Sequence, residues 1–290
     1  MRTTSPLDIS FSSVWKITAI IPIALCLTGC TNYFFQPDHY VYHTPTELGL
    51  TFHDVFLKTP DDVQIHSWFL RAKGIPKGTV FVLHGNAQNI SSHFTSVAWL
   101  PASGYHVFIM DYRGYGDSTG TPDITMVFLD IKTAMTWLFK MPDVKQMPIF
   151  LLGQSLGAAL GVYFLGTDPD VKQNLAGVIL DGCFSRYRMI VKEKMAESWL
   201  TWSFQDAFAL FISDKYDPED YIAKLFQLPI LIIHSQGDRV VPFHHGKLLY
   251  EQAREPKLFI ESEGGHIATF RYERCRRDLL KFMSRVGAGK

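Results

Sequence analysis

A serine hydroxyl reacts at neutral pH only when a base takes its proton and a carboxylate fixes that base's tautomer. One serine in this chain stands in a setting suited to that chemistry. Gly153-Gln-Ser-Leu-Gly157 has the Gly-x-Ser-x-Gly spacing that places Ser155 on a sharp strand-to-helix turn with its hydroxyl projecting. The flanking glycines leave room for the turn and for close helix–strand packing. An apolar run of strand length, 148–152, precedes the motif and an alanine-rich helical stretch follows it, and this context makes Ser155 the candidate nucleophile. Two further residues follow strand-like runs downstream: Asp238 in Ser235-Gln-Gly-Asp-Arg-Val-Val-Pro242, and His266 closing Glu261-Ser-Glu-Gly-Gly-His266. Nucleophile, acid and base thus occur in the order Ser, Asp, His. Asp181 also ends a strand-like run and stays open as an alternative acid.

Charge that develops on a carbonyl oxygen during acyl transfer needs donors, and loss of one typically costs about 3 kcal/mol in the barrier. The N–H of Leu156, directly after the serine, is one candidate. The loop His84-Gly-Asn-Ala-Gln-Asn89 follows another strand-like run, and Gly85 lets its backbone approach. Asn86 is therefore the second expected donor, with Ala87 as the fallback. The remaining polar residues have plainer expectations. His234 reads as a histidine satisfied within a strand end, His244-His245 as a doublet that caps a helix or faces solvent, and His84 as part of the loop's geometry. Ser118 and Ser185 lack the strand-to-helix setting, and Glu261 and Glu263 read as solvated.

The elements that must position these groups follow from the apolar pattern. Residues 54–70 read as two strands around a turn at Pro60-Asp-Asp62. Apolar runs at 79–84, 105–111, 148–153, 176–181, 228–234 and 257–260 read as strands buried on both faces. Helix-length segments at 91–103, 124–141, 155–166, 244–254 and 266–286 alternate with them. This alternation gives an α/β class with a mostly parallel sheet, whose ligands gather at the carboxyl ends of the strands.

Lysine plus arginine and aspartate plus glutamate number 28 each, so no net field gathers nucleic acid. The amino terminus is a leader in form. A positive start, the apolar run Ile17 to Leu27 and the closing Leu27-Thr-Gly-Cys30 match an export signal whose apolar core is too short to span a bilayer. The last four residues resemble the lipobox of bacterial lipoproteins, in which Cys30 would be acylated; an uncleaved anchor is the alternative. Either fixes the chain to a membrane, with the lipoprotein reading placing it in the cell envelope. The organisation expected is a leader over 1–29, a linker over 30–50 and one domain over 51–290. Cys183 and Cys275 make no disulfide framework, and no Cys/His spacing suggests a metal.

Val82-Leu-His-Gly-Asn86, Asp111-Tyr-Arg-Gly-Tyr-Gly-Asp-Ser118, Gly153-Gln-Ser-Leu-Gly157, His234-Ser-Gln-Gly-Asp-Arg-Val-Val-Pro242 and Gly264-Gly-His266 together resemble the α/β-hydrolase superfamily. Within it they are most similar to the serine-aminopeptidase-like single-domain hydrolases, a group that includes membrane-associated depalmitoylating thioesterases. The likeness spans roughly Phe52 to Met283. It implies the α/β-hydrolase fold, hydrolysis without cofactor or metal, and Ser155, Asp238 and His266 as triad. Ser235-Gln236 departs from the residues usual before Gly-Asp in that group. The resemblance also implies a small helical cap at 183–226. There Met195, Trp199 and Trp202, then Phe204, Phe208 and Phe211, recur at helical spacing, and an aromatic cap suits an acyl chain. The expected activity is hydrolysis of small-molecule carboxylic esters or thioesters, lipid-like ones among them. A peptidase or acyltransferase on the same triad, and an inert binding module, are the alternatives.

Overall fold

Eight apolar runs form one sheet in the computed structural model, which describes residues 30–288. In chain order they are β1 (Phe52–Lys58), β2 (Gln64–Leu70), β3 (Gly78–Leu83), β4 (Tyr105–Met110), β5 (Ile149–Gln154), β6 (Gly177–Asp181), β7 (Ile230–Ser235) and β8 (Lys257–Ser262). Their spatial order is β1-β2-β4-β3-β5-β6-β7-β8. The first hairpin pairs antiparallel, β2 is antiparallel to β4, and every pair from β4 to β8 is parallel. The fold is the α/β-hydrolase fold. The central strands are buried on both faces because alternate side chains feed two separate cores. Phe81, Leu83, Leu151, Val178 and Leu180 join one core; Val80, Val82, Leu152 and Ile179 join the other.

Five helices of ten or more residues cover these faces: α1 (Val127–Lys140), α2 (Leu156–Thr167), α3 (Tyr187–Ala196), α4 (Phe243–Gln252) and α5 (Glu273–Gly287). The first core packs under α1 and α2, and the second under α5 through Leu279, Phe282 and Met283. Helix α3 lies between β6 and β7, followed by a 3₁₀ turn at Trp202–Phe204 and a short α-helix at Gln205–Ala209.

Two expected helices are shorter than their patterns. Over 91–103 only Ile90–His93 is α-helical, followed by 3₁₀ turns at Phe94–Ser96 and Pro101–Ser103. Thr95 and Ser96 hydroxyls donate to the carbonyls of Ser92 and His93, an alternative to helix propagation that short hydroxyl side chains offer. The last helix begins at Glu273, not at His266, because Ile267 has φ +47° and Thr269 opens a separate 3₁₀ turn. The expected leader over 1–29 lies outside the described residues, and Cys30 opens a short 3₁₀ turn, Cys30–Phe34. No helix among the described residues is long and apolar enough to cross a membrane. Cys183 and Cys275 are both buried free thiols.

The segment after Cys30, read from sequence as a linker, lies against the domain. Gln36 and Pro37 pair in parallel with Ala87 and Gln88, Asn89 Nδ2 donates to Asp38 and to the Tyr40 carbonyl, and Phe35 is buried. The loop after β4 supports the same region. Arg113 is buried there and grips Asp130 on α1 through Nε and Nη2, at 3.0 and 2.6 Å, while its Nη1 reaches Asp61 at 2.9 Å. Asp111 in the same loop accepts from the Ile90 N–H and lies 3.3 Å from His84 Nε2. Burial pushes the Asp111 carboxyl up to about 8 and the His84 imidazole down to about 4, so both are neutral between those values.

Removing one partner of a buried ion pair strands the other charge, so Asp130→Ala should cost about 3 kcal/mol or more in urea unfolding. A midpoint unchanged from wild type would refute that role. Asp111 generates a pH signature as well. The native carboxyl keeps a proton that the unfolded chain releases above its ordinary range, so wild type loses stability as pH rises towards about 8. Asp111→Asn does not titrate. The melting temperature of this variant relative to wild type should therefore climb between acid pH and about 8 and then level off, and a flat difference across that range would exclude the neutral-acid assignment.

Candidate active site

The sheet ends where the chemistry would begin. Ser155, directly after β5, has φ +53° and ψ −117°, a conformation disfavoured for any residue with a Cβ. Its neighbours hold it there. The Ser155 N–H donates to the Asp181 carbonyl at 2.9 Å, and its carbonyl receives the Ala158 and Ala159 N–H groups as α2 starts. The flanking glycines are obligatory. A Cβ at Gly157 would lie 2.1 Å from the Leu83 carbonyl oxygen, and one at Gly153 would lie 2.4 Å from Ala158 Cα.

His266 and Asp238 come together across the ends of β8 and β7. His266 Nδ1 is 2.7 Å from Asp238 Oδ2, while Asp238 Oδ1 accepts from the Val240 and Val241 N–H groups at 2.8 and 2.9 Å. Burial alone would raise the Asp238 carboxyl, but the His266 contact and the two amides hold it below its ordinary range, hence ionised. The histidine is then constrained to carry hydrogen on Nδ1, leaving the Nε2 lone pair free to accept a proton. Asp181 is not its partner: its two oxygens receive Thr269 Oγ1 at 2.7 Å and Gln154 Nε2 at 3.0 Å. Asp181 instead ties the serine turn to the histidine loop. Ser155 Oγ has no hydrogen-bond partner among the described residues.

The departure at Ser235 has a structural use. Its hydroxyl donates to the Gly264 carbonyl at 2.6 Å and accepts from the Gly237 N–H at 3.1 Å, stapling the acid loop to the histidine loop. The His266 ring lies over Gly182, where a Cβ would stand 3.1 Å from its Cε1.

Gly85 brings the other loop alongside, since a Cβ there would lie 3.8 Å from Ser155 Cβ. The N–H groups of Asn86 and Leu156 have no acceptor among the described hydrogen bonds. The Asn86 carbonyl is held from behind by the Gln36 N–H at 2.8 Å and the Tyr115 hydroxyl at 2.6 Å. His93, absent from the sequence-level candidates, pins the same loop: its Nε2 is 2.9 Å from the Ala87 carbonyl, and its ring stacks on His84 at 5.0 Å. Burial pushes His93 down to about 3, so it is neutral and serves as a donor.

Two cavities are lined in part by residues of the loops around the serine. One of about 400 Å³ is lined by His266, Ile267, Arg271, Arg276, His93 and Ser96, among others. The other, of about 510 Å³, includes Asn86 and is walled mainly by apolar groups of the 33–36 segment and of α3.

The histidine doublet differs from expectation in one member. His244 is half exposed, but His245 is fully buried, with Nδ1 accepting from the Ser185 N–H at 3.0 Å. Nε2 therefore carries the proton and faces Glu193 Oε2 at 3.0 Å, while His244 reaches Glu193 Oε1 at 2.9 Å. The ligand atoms of these three residues lie within 4.8 Å of one another, yet that proton stands where a cation would bind. The trio is a latch between α3 and α4. His234, expected to be satisfied, is so at one nitrogen only: Nε2 lies 2.9 Å from the Val241 carbonyl, while its buried Nδ1 has no hydrogen-bond partner among the described residues. Glu261 belongs to β8, paired with Gln236 and Lys247.

Comparison with known proteins agrees with this architecture. The family described as "Serine aminopeptidase, S33" matches residues 74–217. The uncharacterized protein YfhR of Salmonella typhi is 35% identical over 279 residues, covering 90% of each chain. Lysophosphatidylserine lipase ABHD12 of Danio rerio is 30% identical over 217 residues, covering 70% of this chain and 53% of that protein. The esterase Pf2001 of Pyrococcus furiosus superposes with a TM-score of 0.69 at 22% identity, covering 87% of this chain and 98% of that one, a likeness of fold. With the sheet order, the turn at Ser155 and these relatives in agreement, the chain belongs to the α/β-hydrolase superfamily and is a hydrolase.

Proposed function

We propose that this hydrolase cleaves carboxylic esters or thioesters through an acyl-serine intermediate, with Ser155 as nucleophile, His266 as base and Asp238 as the group that orients it. The observation that carries the reading is the 2.7 Å contact between His266 Nδ1 and an ionised, amide-bound Asp238, set beside a strained Ser155. Ser155 Oγ attacks the carbonyl carbon as its proton passes to His266 Nε2, and the oxyanion takes hydrogen bonds from the Leu156 and Asn86 N–H groups. Collapse breaks the bond to the leaving alkoxide or thiolate, which His266 protonates. Water, deprotonated by the same imidazole, attacks the acyl-serine and releases the acid. The polar cavity beside His266 suits the leaving group and that water.

An ester is favoured over an aminopeptide by charge. An aminopeptidase must hold a free α-ammonium, but neither of these two cavities is lined by a carboxylate, and their cations are Lys194, Arg271 and Arg276. The lipase among the relatives points the same way. The leader ending at Leu27-Thr-Gly-Cys30 supports a chain tethered to a membrane of the cell envelope by a lipid on Cys30.

A fluorophosphonate probe should label wild type and not Ser155→Ala, and p-nitrophenyl ester turnover should fall with the label. Asp238→Asn should keep the fold but lower kcat by about 10⁴, the loss expected when the imidazole takes the wrong tautomer. A folded wild type that resists the probe would defeat the triad and favour an inert binding module. Intact-mass measurement of membrane-extracted protein should find Cys30 as a lipid-bearing first residue; an intact Met1 with no lipid would defeat that tether.

A further inference from the structure

The cavity at Asn86 is built by two segments that the triad does not use. One wall is α3, through Ile190, Val191 and Met195; the facing wall is the amino-terminal strap, through Tyr33 and Phe34. The strap is fixed, not incidental. Phe34 sits edge-on to Tyr187 at 4.8 Å and stacks on Phe184 at 6.0 Å, Phe35 is buried against Tyr112 and Tyr115, and Gln36 N–H holds the Asn86 carbonyl. Asn32 anchors the start of the strap to Asp123 and to the Ile124 N–H. Lys194, the one charged lining residue, is turned to Glu197 and the Arg239 carbonyl, leaving the cavity without a free charge.

We propose that this cavity receives the acyl chain of the substrate, and that the strap, Tyr33 and Phe34 above all, sets the preferred chain length together with α3. The proposal rests on the acyl-serine reading for where the carbonyl lies. Asn86 belongs both to the cavity wall and to the loop that passes Ser155, so a carbonyl held by its N–H places the adjoining chain at the cavity mouth. An occupant must be apolar, since an ammonium or carboxylate would lose its hydration with no partner in the wall. It must also be slender, because about 510 Å³ lies between a helix and a single pass of chain. The surrounding cap exposes Trp199, Leu200, Phe204 and Leu210, an apolar surround consistent with a substrate delivered from a lipid phase.

The test reads the ratio of kcat/KM for p-nitrophenyl laurate to that for the butyrate. Each buried methylene contributes about 0.8 kcal/mol, so a bulky ring that displaces even a few of them should lower the ratio about tenfold or more. Val191→Trp, or Met195→Trp should the first variant fail to fold, is expected to do this by filling the cavity. Tyr33→Ala, at a side chain 73% exposed and without a hydrogen bond among the described residues, is expected to lower it in the same direction by opening the wall. A second measurement needs no turnover: a fluorescent long-chain fatty acid should bind the Ser155→Ala protein and bind about tenfold more weakly when Val191→Trp is added. Ratios and binding both unmoved by the substitutions would overturn the cavity assignment while leaving the labelling of Ser155 intact. Loss of the acyl-serine reading shows itself separately, as wild type without label, and the fatty-acid measurement still decides the cavity.

Discussion

The strained backbone of Ser155 is the constraint on which the site depends. A residue with a Cβ at φ +53° persists only where its surroundings over-determine it, at a cost of order 1–3 kcal/mol. Here β6 accepts its N–H, α2 hangs from its carbonyl, and the glycines on either side permit backbone contacts that any side chain would block. The serine is thereby fixed to the most buried part of the sheet. Everything else in the site is placed relative to it: Gly85 beside its Cβ, Asp181 beneath its amide, and the histidine loop tied to Asp181 through Thr269.

Around this point the polar groups are paired so that charge is kept in one place. Asp238 is ionised because amides and His266 surround it, whereas Asp111 is driven neutral by burial at the far end of the neighbouring loop. His84 and His93 are likewise held neutral and serve as donors to backbone carbonyls of the 84–89 loop. Of the three carboxyls Asp111, Asp181 and Asp238, only Asp238 carries a fixed negative charge directed at a histidine. A second anion next to His266 would compete for its Nδ1 proton; Asp181 avoids this by being committed to Gln154 and Thr269.

The main frame was legible in the sequence because it rests on patterns with short range. Continuous apolar runs gave the buried strands, Gly-x-Ser-x-Gly gave the turn, and a carboxylate and a histidine after later strands gave the pair that the fold brings within 2.7 Å. What was not legible depends on contacts distant in the chain. Nothing local to His93 says that it meets a carbonyl at Ala87 with its ring on His84, and nothing local to His245 says that Ser185 and Glu193 close over it. The hydroxyl-rich 91–103 segment carries enough apolar residues for a helix, but its hydroxyls bond to their own backbone. The strap is the plainest case. Its composition reads as a connector, and only the pairing of Gln36 and Pro37 with Ala87 and Gln88 makes it part of the site.

That pairing has a consequence for how the site is divided. The groups that would move protons lie on loops after β5, β7 and β8, anchored in the sheet, whereas the walls of the apolar cavity come from an insertion and from the chain before β1. These two sets share few residues, and the 84–89 loop is where they meet, with Gly85 beside the serine and the Asn86 carbonyl held by the strap. Changes in α3 or in residues 33–36 can therefore reshape the cavity without displacing Ser155, Asp238 or His266. The reverse does not hold, because a shift of the 84–89 loop moves a wall of the cavity and the Asn86 amide together. The strap's hydrogen bond to that loop is thus a mechanical link between residues 36–37 and the loop that passes the serine.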